Sequence, residues 1–371
     1  MSQPLTLLSF GAGAIGAYIG GSLALAGHRV VFVEQPAVVS DLRARGLKLD
    51  LTIDKRRGEK AVFELHDSAS VAFVGSLDEA FKLASYDAIL FALKSFDTQA
   101  VLDTLRPIYQ AANPPLPPIL CLQNGVDNEP AIAAALGADK VIYGTVTSAI
   151  GRRAAGDIVL EKLRGVGVAA GRPLSGRLVE ALDAAYLNAS LFAKAADMKW
   201  SKMLTNLLAN PTSAILNMTA AEVFADPRLY RLEIAQLKEC LAVMRAQGIN
   251  VVDLPGTPVR ALALATRLPL WLSKPFLSKA AGTGRGAKMP SFHIDLYAGR
   301  ANPGELRRGK SEVAYLHGAV VRAGEKFGVP TPVNKVLTET LLDLTAGKIP
   351  LNEFVGKPEK LLVKIENLYV R

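Results

Sequence analysis

The chain is poor in the residues that build covalently closed or metal-bound scaffolds. Cys121 and Cys240 are the only two cysteines among 371 residues, which gives no disulfide framework. Cys121 lies in the strand-like run PPILCLQ and Cys240 in a helical pattern, so both read as buried thiols in a reducing compartment. The four histidines, His28, His66, His293 and His317, show no metal-ligand spacing, and no metal site is expected. There is no nucleophile elbow and no Ser/His/Asp arrangement, so hydrolase chemistry finds no support. Long apolar runs are also missing. The first 27 residues carry no charged side chain, but no positive n-region precedes them. Glycines at 11, 13, 16, 20 and 21 interrupt the run, so it suits neither a signal peptide nor a membrane span. No other segment reaches about 18 uninterrupted apolar residues. No internal repeat or low-complexity tract occurs, and a soluble, cytoplasmic protein is expected.

Half of the residues are hydrophobic and 21% are charged, an ordinary globular balance. The length allows two or three domains, each with its own core. The formal charge of +9 is unevenly placed. Residues 251–310 hold ten Lys or Arg against three Asp or Glu, a net +7. That stretch is either a solvated basic face or the neighbourhood of an anionic ligand or surface. Nucleic acid is not an expected partner, because no binding motif and no interleaved aromatics accompany the charge.

The first half alternates strand and helix signals. LTLLSF, RVVFVEQ, YDAILFAL, PPILCLQN and VIYGTV are strand candidates, and the alternation predicts a parallel α/β sheet. From about residue 190 the patterns become long and helical, over 196–208, 228–247 and 311–327. The expected fold is α/β: a Rossmann-type parallel-sheet domain over 1–192, then an all-helical domain over 193–371.

SFGAGAIGAYIGG places Gly11, Gly13 and Gly16 in a G-x-G-x-x-G frame between a strand and a helix. Such glycines allow a tight turn and bring backbone N–H groups at a helix N-terminus close to a pyrophosphate. Glu34 ends the next strand, 23 residues after Gly11, where an acid can bond ribose hydroxyls. A glycine-rich turn without a ligand is the plain alternative. Lys94 in LFALKSFDT and Asn124 in LCLQNGVDN each follow an apolar strand, at the rim where ligands of open sheets bind. A surface lysine and an Asn-Gly turn are their bland counterparts. In KWSKMLTNLLANPTSAILN, Lys202, Asn206 and Asn210 stand at i, i+4 and i+8, on one side of a helix. Met203, Leu204, Leu207 and Leu208 beside them suit a core. The stripe faces either solvent or a cleft, and asparagine is a poor helix former that invites a reason.

In this order these features resemble the ketopantoate reductase family. The resemblance runs through GAGAIGAYIGG, ALKSFDT, LQNGV, GDIVL, KWSKMLTNLLANPTSAILN, SFHIDLYAGR and SEVAYLHG. It implies an active site in the cleft between the two domains and reduction of a small 2-keto acid, 2-dehydropantoate to pantoate. Carried over by motif, Lys202 is the general acid. Asn206, Asn210 and Ser291 hold substrate, Glu312 is the acidic partner, and Asn124 lies near the nicotinamide and the reacting carbonyl. The implied cofactor-binding set is Gly11, Ala12, Gly13, Ala14, Ile15, Gly16, Glu34, Lys94, Asn124 and Glu312. Two alternatives stand beside this reading: another 2-keto or 2-hydroxy acid oxidoreductase on the same scaffold, and a nucleotide-binding sensor without turnover. A homodimer is an open alternative for the assembly.

The family usually takes NADPH and has an arginine just after the second strand; here Gln35 stands there, preceded by Glu34. With NADPH and NADH both candidates, Glu34 favours NADH, because it opposes a 2′-phosphate and like charges face to face cost several kcal/mol. Arg43 or Arg45 is placed to offset it. The chain also exceeds the family pattern over 253–290 and 301–310. The first addition is expected to form short helices broken at Pro269 and Pro275, as cover beside the active site or as a subunit contact. A membrane-surface patch is its rival. Glu305 competes with Glu312 for the acid, but the SEVAYLHG frame favours Glu312.

Overall fold

A computed structural model of the chain describes residues 3–59, 61–112, 115–285, 288–297 and 310–369. Glu305 and nearly all of 301–310 lie outside them. The chain divides into two compact units, one running up to Lys199 and including Asp253–Thr257, the other formed by Trp200–Val252 and the residues from Pro258 on.

The first unit runs β1 (Thr6–Phe10), α1 (Ala14–Leu25), β2 (Arg29–Val33), α2 (Pro36–Arg45), β3 (Leu47–Asp50), β4 (Val62–Leu65), β5 (Val71–Val74), α3 (Leu77–Leu83), β6 (Ala88–Phe91) and α4 (Thr98–Ala111). It continues with β7 (Ile119–Cys121), α5 (Asn128–Leu136), β8 (Val141–Val146), β9 (Ala149–Ala154), β10 (Asp157–Lys162), β11 (Val166–Ala169), α6 (Ser175–Ala184), β12 (Ala189–Phe192) and the start of α7 (Ala195–Leu207). The five predicted strands are β1, β2, β6, β7 and β8. Eight strands form one sheet in the order β12-β11-β8-β7-β6-β1-β2-β5. Neighbours are parallel except β8 with β11. The chain leaves β1 for β2 and β5 on one side and then crosses to β6 on the other, a reversal that opens a crevice at the strands' carboxyl ends.

The strands of this sheet lack polar alternation because both faces are covered. Leu7, Ala88 and Leu90 join the core on the α1 side, while Leu8, Ile89 and Phe91 join the core on the opposite face. A second sheet, β4-β3-β10-β9, packs on α1 from its other side. Helix α1 is therefore buried nearly all round, and two adjacent glycines make room for it. A Cβ on Gly20 would meet Phe32 at 2.8 Å; one on Gly21 would meet Leu49 at 2.5 Å. The strands of the small sheet are short and carry charges such as Lys48, Glu64 and Arg152, which hides them from a hydropathy reading.

The second unit takes the remainder of α7, then α8 (Asn210–Leu216), α9 (Ala220–Ala225), α10 (Pro227–Ala246), α11 (Val259–Ala265), α12 (Leu270–Arg285), α13 (Ser291–Tyr297), α14 (His317–Phe327), α15 (Pro332–Thr345) and α16 (Pro358–Tyr369). Every residue of α8 is buried; α10 buries half of its length and packs on α9, α14, α15 and α16. Three expectations change here. Lys202, Asn206 and Asn210 do not share one continuous helix, because α7 ends at Leu207 and Ala209 is left-handed, with φ 52°. Pro211 explains the break, since its ring would collide with the carbonyl four residues earlier and it offers no N–H. Pro275 does not break the 253–290 segment. It lies exposed inside α12, where it forfeits one hydrogen bond near the helix start. The pattern over 311–327 opens as a 3₁₀ turn, Glu312–Tyr315, before α14 begins. Among the described residues no helix is long and apolar enough to cross a membrane.

Candidate active site

In the first unit the glycine-rich turn joins β1 to α1. Gly11 has φ +90°, a conformation that favours glycine, and its N–H donates to Val33 O at 3.0 Å. This bond holds the turn against the end of β2. A Cβ on Gly16 would run into Gly11 O, whereas nothing lies within 4 Å of the Cβ position of Gly13. Gly16 thus serves close packing, and Gly13 leaves open space. Gly13 is the N-cap of α1 and provides no side-chain acceptor, so the helix start is bare of protein caps. Glu34 follows β2, and its Oε1 accepts from Ala12 N at 2.6 Å. The open cradle, the uncapped helix start and the carboxylate beside them fit a dinucleotide: phosphate on the N–H groups, ribose hydroxyls on the acid.

Arg43 and Arg45 turn to other partners. Arg43 Nη2 donates to Phe73 O at 2.6 Å and Glu79 Oε1 at 3.0 Å. Arg45 Nε donates to Asp41 Oδ2 at 2.8 Å, and its Nη2 donates to Ala155 O.

Polar side chains lace the rim loops after β6 and β7. Lys94 stands at the N-cap position of a 3₁₀ turn, Ser95–Asp97, without a side-chain cap. Asn124 O accepts from Asn128 Nδ2 at 2.8 Å and Ser95 Oγ at 3.2 Å. Gln123 Nε2 donates to Thr98 Oγ1 at 2.8 Å and Leu93 O at 3.1 Å. The two loops predicted to reach the rim are therefore joined, with the Asn124 side chain exposed.

Beneath Asn124 lies a group that sequence reasoning missed. Lys199, 3% exposed on α7, stands 2.6 Å from Glu129 Oε1 on α5, itself 0% exposed. Lys199 Nζ also donates to Gln123 O at 2.7 Å and Gly144 O at 3.2 Å. Burial pushes the Glu129 carboxyl above its ordinary value, with Lys199 pulling the other way. Burial, and then the Glu129 charge, push the neighbouring Cys121 thiol up as well.

In the second unit the polar residues gather at the α7–α8 break. Lys202 and Asn206 are half-buried on α7, between the buried Met203, Leu204 and Leu207. Asn210 Nδ2 donates to Asn206 O at 3.2 Å, and its Oδ1 accepts from Phe292 N at 3.1 Å. Ser291 Oγ lies 3.4 Å from Asn210 Nδ2. Asn210 thus holds the start of α13, and with it Ser291. The helix break is braced from α10. Glu233, fully buried, accepts from Ala209 N at 2.7 Å and Thr212 Oγ1 at 2.6 Å. Gln236 Nε2 donates to Leu207 O at 3.4 Å, and Gln236 Oε1 accepts from His317 Nε2 at 3.0 Å. Burial pulls His317 down to about 3, so it is neutral at physiological pH. Glu233 and Gln236 gave no sequence signal beyond a polar residue in a helical pattern. Glu312 is 6% exposed and opens its 3₁₀ turn after Ser311, whose Oγ accepts from Val313 N. No metal-binding cluster of His, Cys, Asp or Glu occurs among the described residues.

Comparison with known proteins finds one family along both units. The family described as ketopantoate reductase PanE/ApbA matches residues 7–171, and its C-terminal counterpart matches 194–344. A 2-dehydropantoate 2-reductase of Archaeoglobus fulgidus is 27% identical over 349 residues, covering 91% of this chain and 95% of that protein. Another, from Mesorhizobium japonicum, is 27% identical over 268 residues, or 65% of this chain and 76% of that one. A crystal structure of a PanE/ApbA family ketopantoate reductase from Ralstonia eutropha superposes with a TM-score of 0.71 at 23% identity, over 92% of this chain and 99% of the other. The ternary structure of a D-mandelate dehydrogenase with NADH and anilino(oxo)acetate shares the fold at a TM-score of 0.70 and 20% identity, over 94% of this chain and 100% of the other. With the family matched on both sides of residue 190, the chain belongs to the ketopantoate reductase PanE/ApbA family and is an NAD(P)-dependent oxidoreductase.

Proposed function

We propose that the chain reduces 2-dehydropantoate to pantoate, with NADH preferred over NADPH. The observation that carries this reading is the grouping of Asn206, Asn210 and Ser291 at the α7–α8 break, with Lys202 one turn earlier on α7. A 2-keto acid needs a proton on its carbonyl oxygen as hydride reaches the carbonyl carbon. The bound dinucleotide supplies that hydride. The Lys202 ammonium gives the proton, so ketone and proton donor leave as alcohol and amine. Asn206 and Ser291 hold the substrate's polar groups, and Asn210, whose amide is shared with α13, fixes Ser291. Glu312 accepts a hydrogen bond from a substrate hydroxyl. In the other unit Glu34 receives the ribose hydroxyls, Lys94 and Asn124 border the nicotinamide, and Gly11 to Gly16 receive the pyrophosphate. The preference for NADH rests on Glu34, with Arg43 and Arg45 engaged elsewhere.

Purified protein, NADH or NADPH, and a panel of 2-keto acids that includes 2-dehydropantoate and an aryl member test this at the nicotinamide absorbance. Faster turnover of another keto acid would transfer the reaction to that substrate. No turnover on any would favour a nucleotide-binding sensor. In the Lys202→Ala variant kcat should fall about 100-fold or more while NADH affinity holds. Retention of more than about a third of kcat would remove Lys202 as the acid.

A further inference from the structure

The second unit also holds a pocket of about 360 Å³ between the end of α10 and α11, lined by none of these residues. Arg245, Arg260 and Arg267 line it, with Met244, Ile249 and Ala263 among its apolar lining. The local chain geometry follows from the end of α10. Gly248, with φ +68°, turns the backbone, and Ile249 N donates to Met244 O at 2.9 Å. This turn carries Val251 back toward α11, where Arg260 Nε donates to Val251 O at 3.3 Å and is held at the pocket wall. The side chains of Arg245 and Arg267 form no ion pair or hydrogen bond among the described residues, and no Asp or Glu is among the residues lining the pocket.

The Arg245 and Arg267 guanidinium groups beside one hollow repel each other unless an anion lies between them. The guanidinium fork matches phosphate oxygens in pairs, and the apolar lining suits a short apolar portion next to the phosphate. Arg260 and Arg267 belong to the 253–290 addition, within the stretch that holds the chain's basic excess. We propose that this pocket is a binding site for a phosphate group carrying a small apolar moiety, independent of the dinucleotide and keto-acid sites. The phosphate comes either from a free phosphomonoester or from a phospholipid headgroup. The exposed side chains Leu264 (58%) and Trp271 (77%) are on the same segment and would meet the lipid in the second case.

Isothermal titration with phenyl phosphate, under saturating NADH so that the dinucleotide site is filled, tests the first source. Co-sedimentation with phosphatidylcholine vesicles, with and without phosphatidylglycerol at physiological salt, tests the second. One phenyl phosphate per chain should bind, and Arg267→Gln should weaken it about tenfold or more. Arg245→Gln/Arg267→Gln should abolish it, while NADH-dependent turnover is unchanged. Arginine-dependent capture by the phosphatidylglycerol vesicles, with no phenyl phosphate bound, would assign the site to a headgroup. The proposal is overturned if neither probe binds, or if the double variant binds as wild type does.

Discussion

Replacing Lys199 by methionine keeps an unbranched side chain, one atom shorter, and removes its charge and both of its hydrogen bonds, to Gln123 O and Gly144 O. Glu129 is then left fully buried with no cation beside it. Breaking a buried ion pair in this way costs about 3–5 kcal/mol. The loss should depend on pH. Burial already holds the Glu129 carboxyl above its ordinary value, and Lys199 is what draws it back down. Without Lys199 the folded-state value rises further, while the unfolded value stays ordinary. Between the two, the folded protein holds a proton that the unfolded chain has released. Stability in that window therefore falls as pH rises, by about 1.4 kcal/mol per pH unit. Reversible urea unfolding of Lys199→Met at about pH 5 and about pH 8 should show the larger deficit at the higher pH. Adding Glu129→Gln should remove the extra slope. A deficit below about 1 kcal/mol at about pH 8, or one equal at both pH values, would refute the assignment of a working ion pair.

Three more outcomes follow from the geometry. Gly16→Ala should destabilise by about 1–3 kcal/mol, because its Cβ meets Gly11 O. Gly13→Ala should melt within about 0.5 kcal/mol of wild type yet lose NADH affinity; equal thermal losses in the two variants would contradict the distinct roles. Glu34→Gln, which keeps an acceptor for Ala12 N, should raise the NADPH-to-NADH ratio of kcat/KM about tenfold, and an unmoved ratio counts against Glu34 as the discriminator. Glu233→Ala deprives Ala209 N and Thr212 Oγ1 of their acceptor, at about 1.5–3 kcal/mol for each charged hydrogen bond. Keto-acid KM should rise with NADH affinity unchanged, and an unaltered KM would detach the brace from the site.

The parts of the fold legible in the sequence are those whose signal is local. The glycine turn, the acid at the end of β2 and the five central strands each show a run or spacing that has one physical cause. Strands β3, β4, β9 and β10 do not, because their four to six residues mix charge with apolar groups and the sheet closes only through the distant pairing of β3 with β10. The break at Ala209 was readable in principle, since Pro211 forbids a continuous helix, but the i, i+4, i+8 spacing of Lys202, Asn206 and Asn210 masked it. The spacing still points to neighbours, because Asn210 Nδ2 reaches back to Asn206 O across the break. Lys199 was not legible. It stands three residues before Lys202 on the same helix, and only the fold reveals that it turns to Glu129 instead. Helix α12 shows a weak local rule overridden, as Pro275 sits within it at an exposed position.

Several buried or half-buried charges of this chain share one structural role. Each sits where the backbone leaves a regular element and an amide or carbonyl has no ladder partner. Glu34 takes Ala12 N at the bend after β1. Lys199 takes the carbonyl of Gln123 as the chain leaves β7. Glu233 takes Ala209 N between α7 and α8. Glu239 takes Val333 N and Asn334 N at the start of α15, where Thr331 supplies no side-chain cap. An unmet backbone group in the interior is expensive, and a charged partner makes the stronger bond to it. Apolar residues could fill the same volumes but could not hold these breaks. Three of the four breaks carry, or directly precede, residues assigned above to cofactor or substrate: Gly13, Asn124 and Asn210. The loops that must be irregular to present chemistry are thus the loops fixed by charge. For that reason the buried charges, rather than the apolar core, set the geometry of the proposed site.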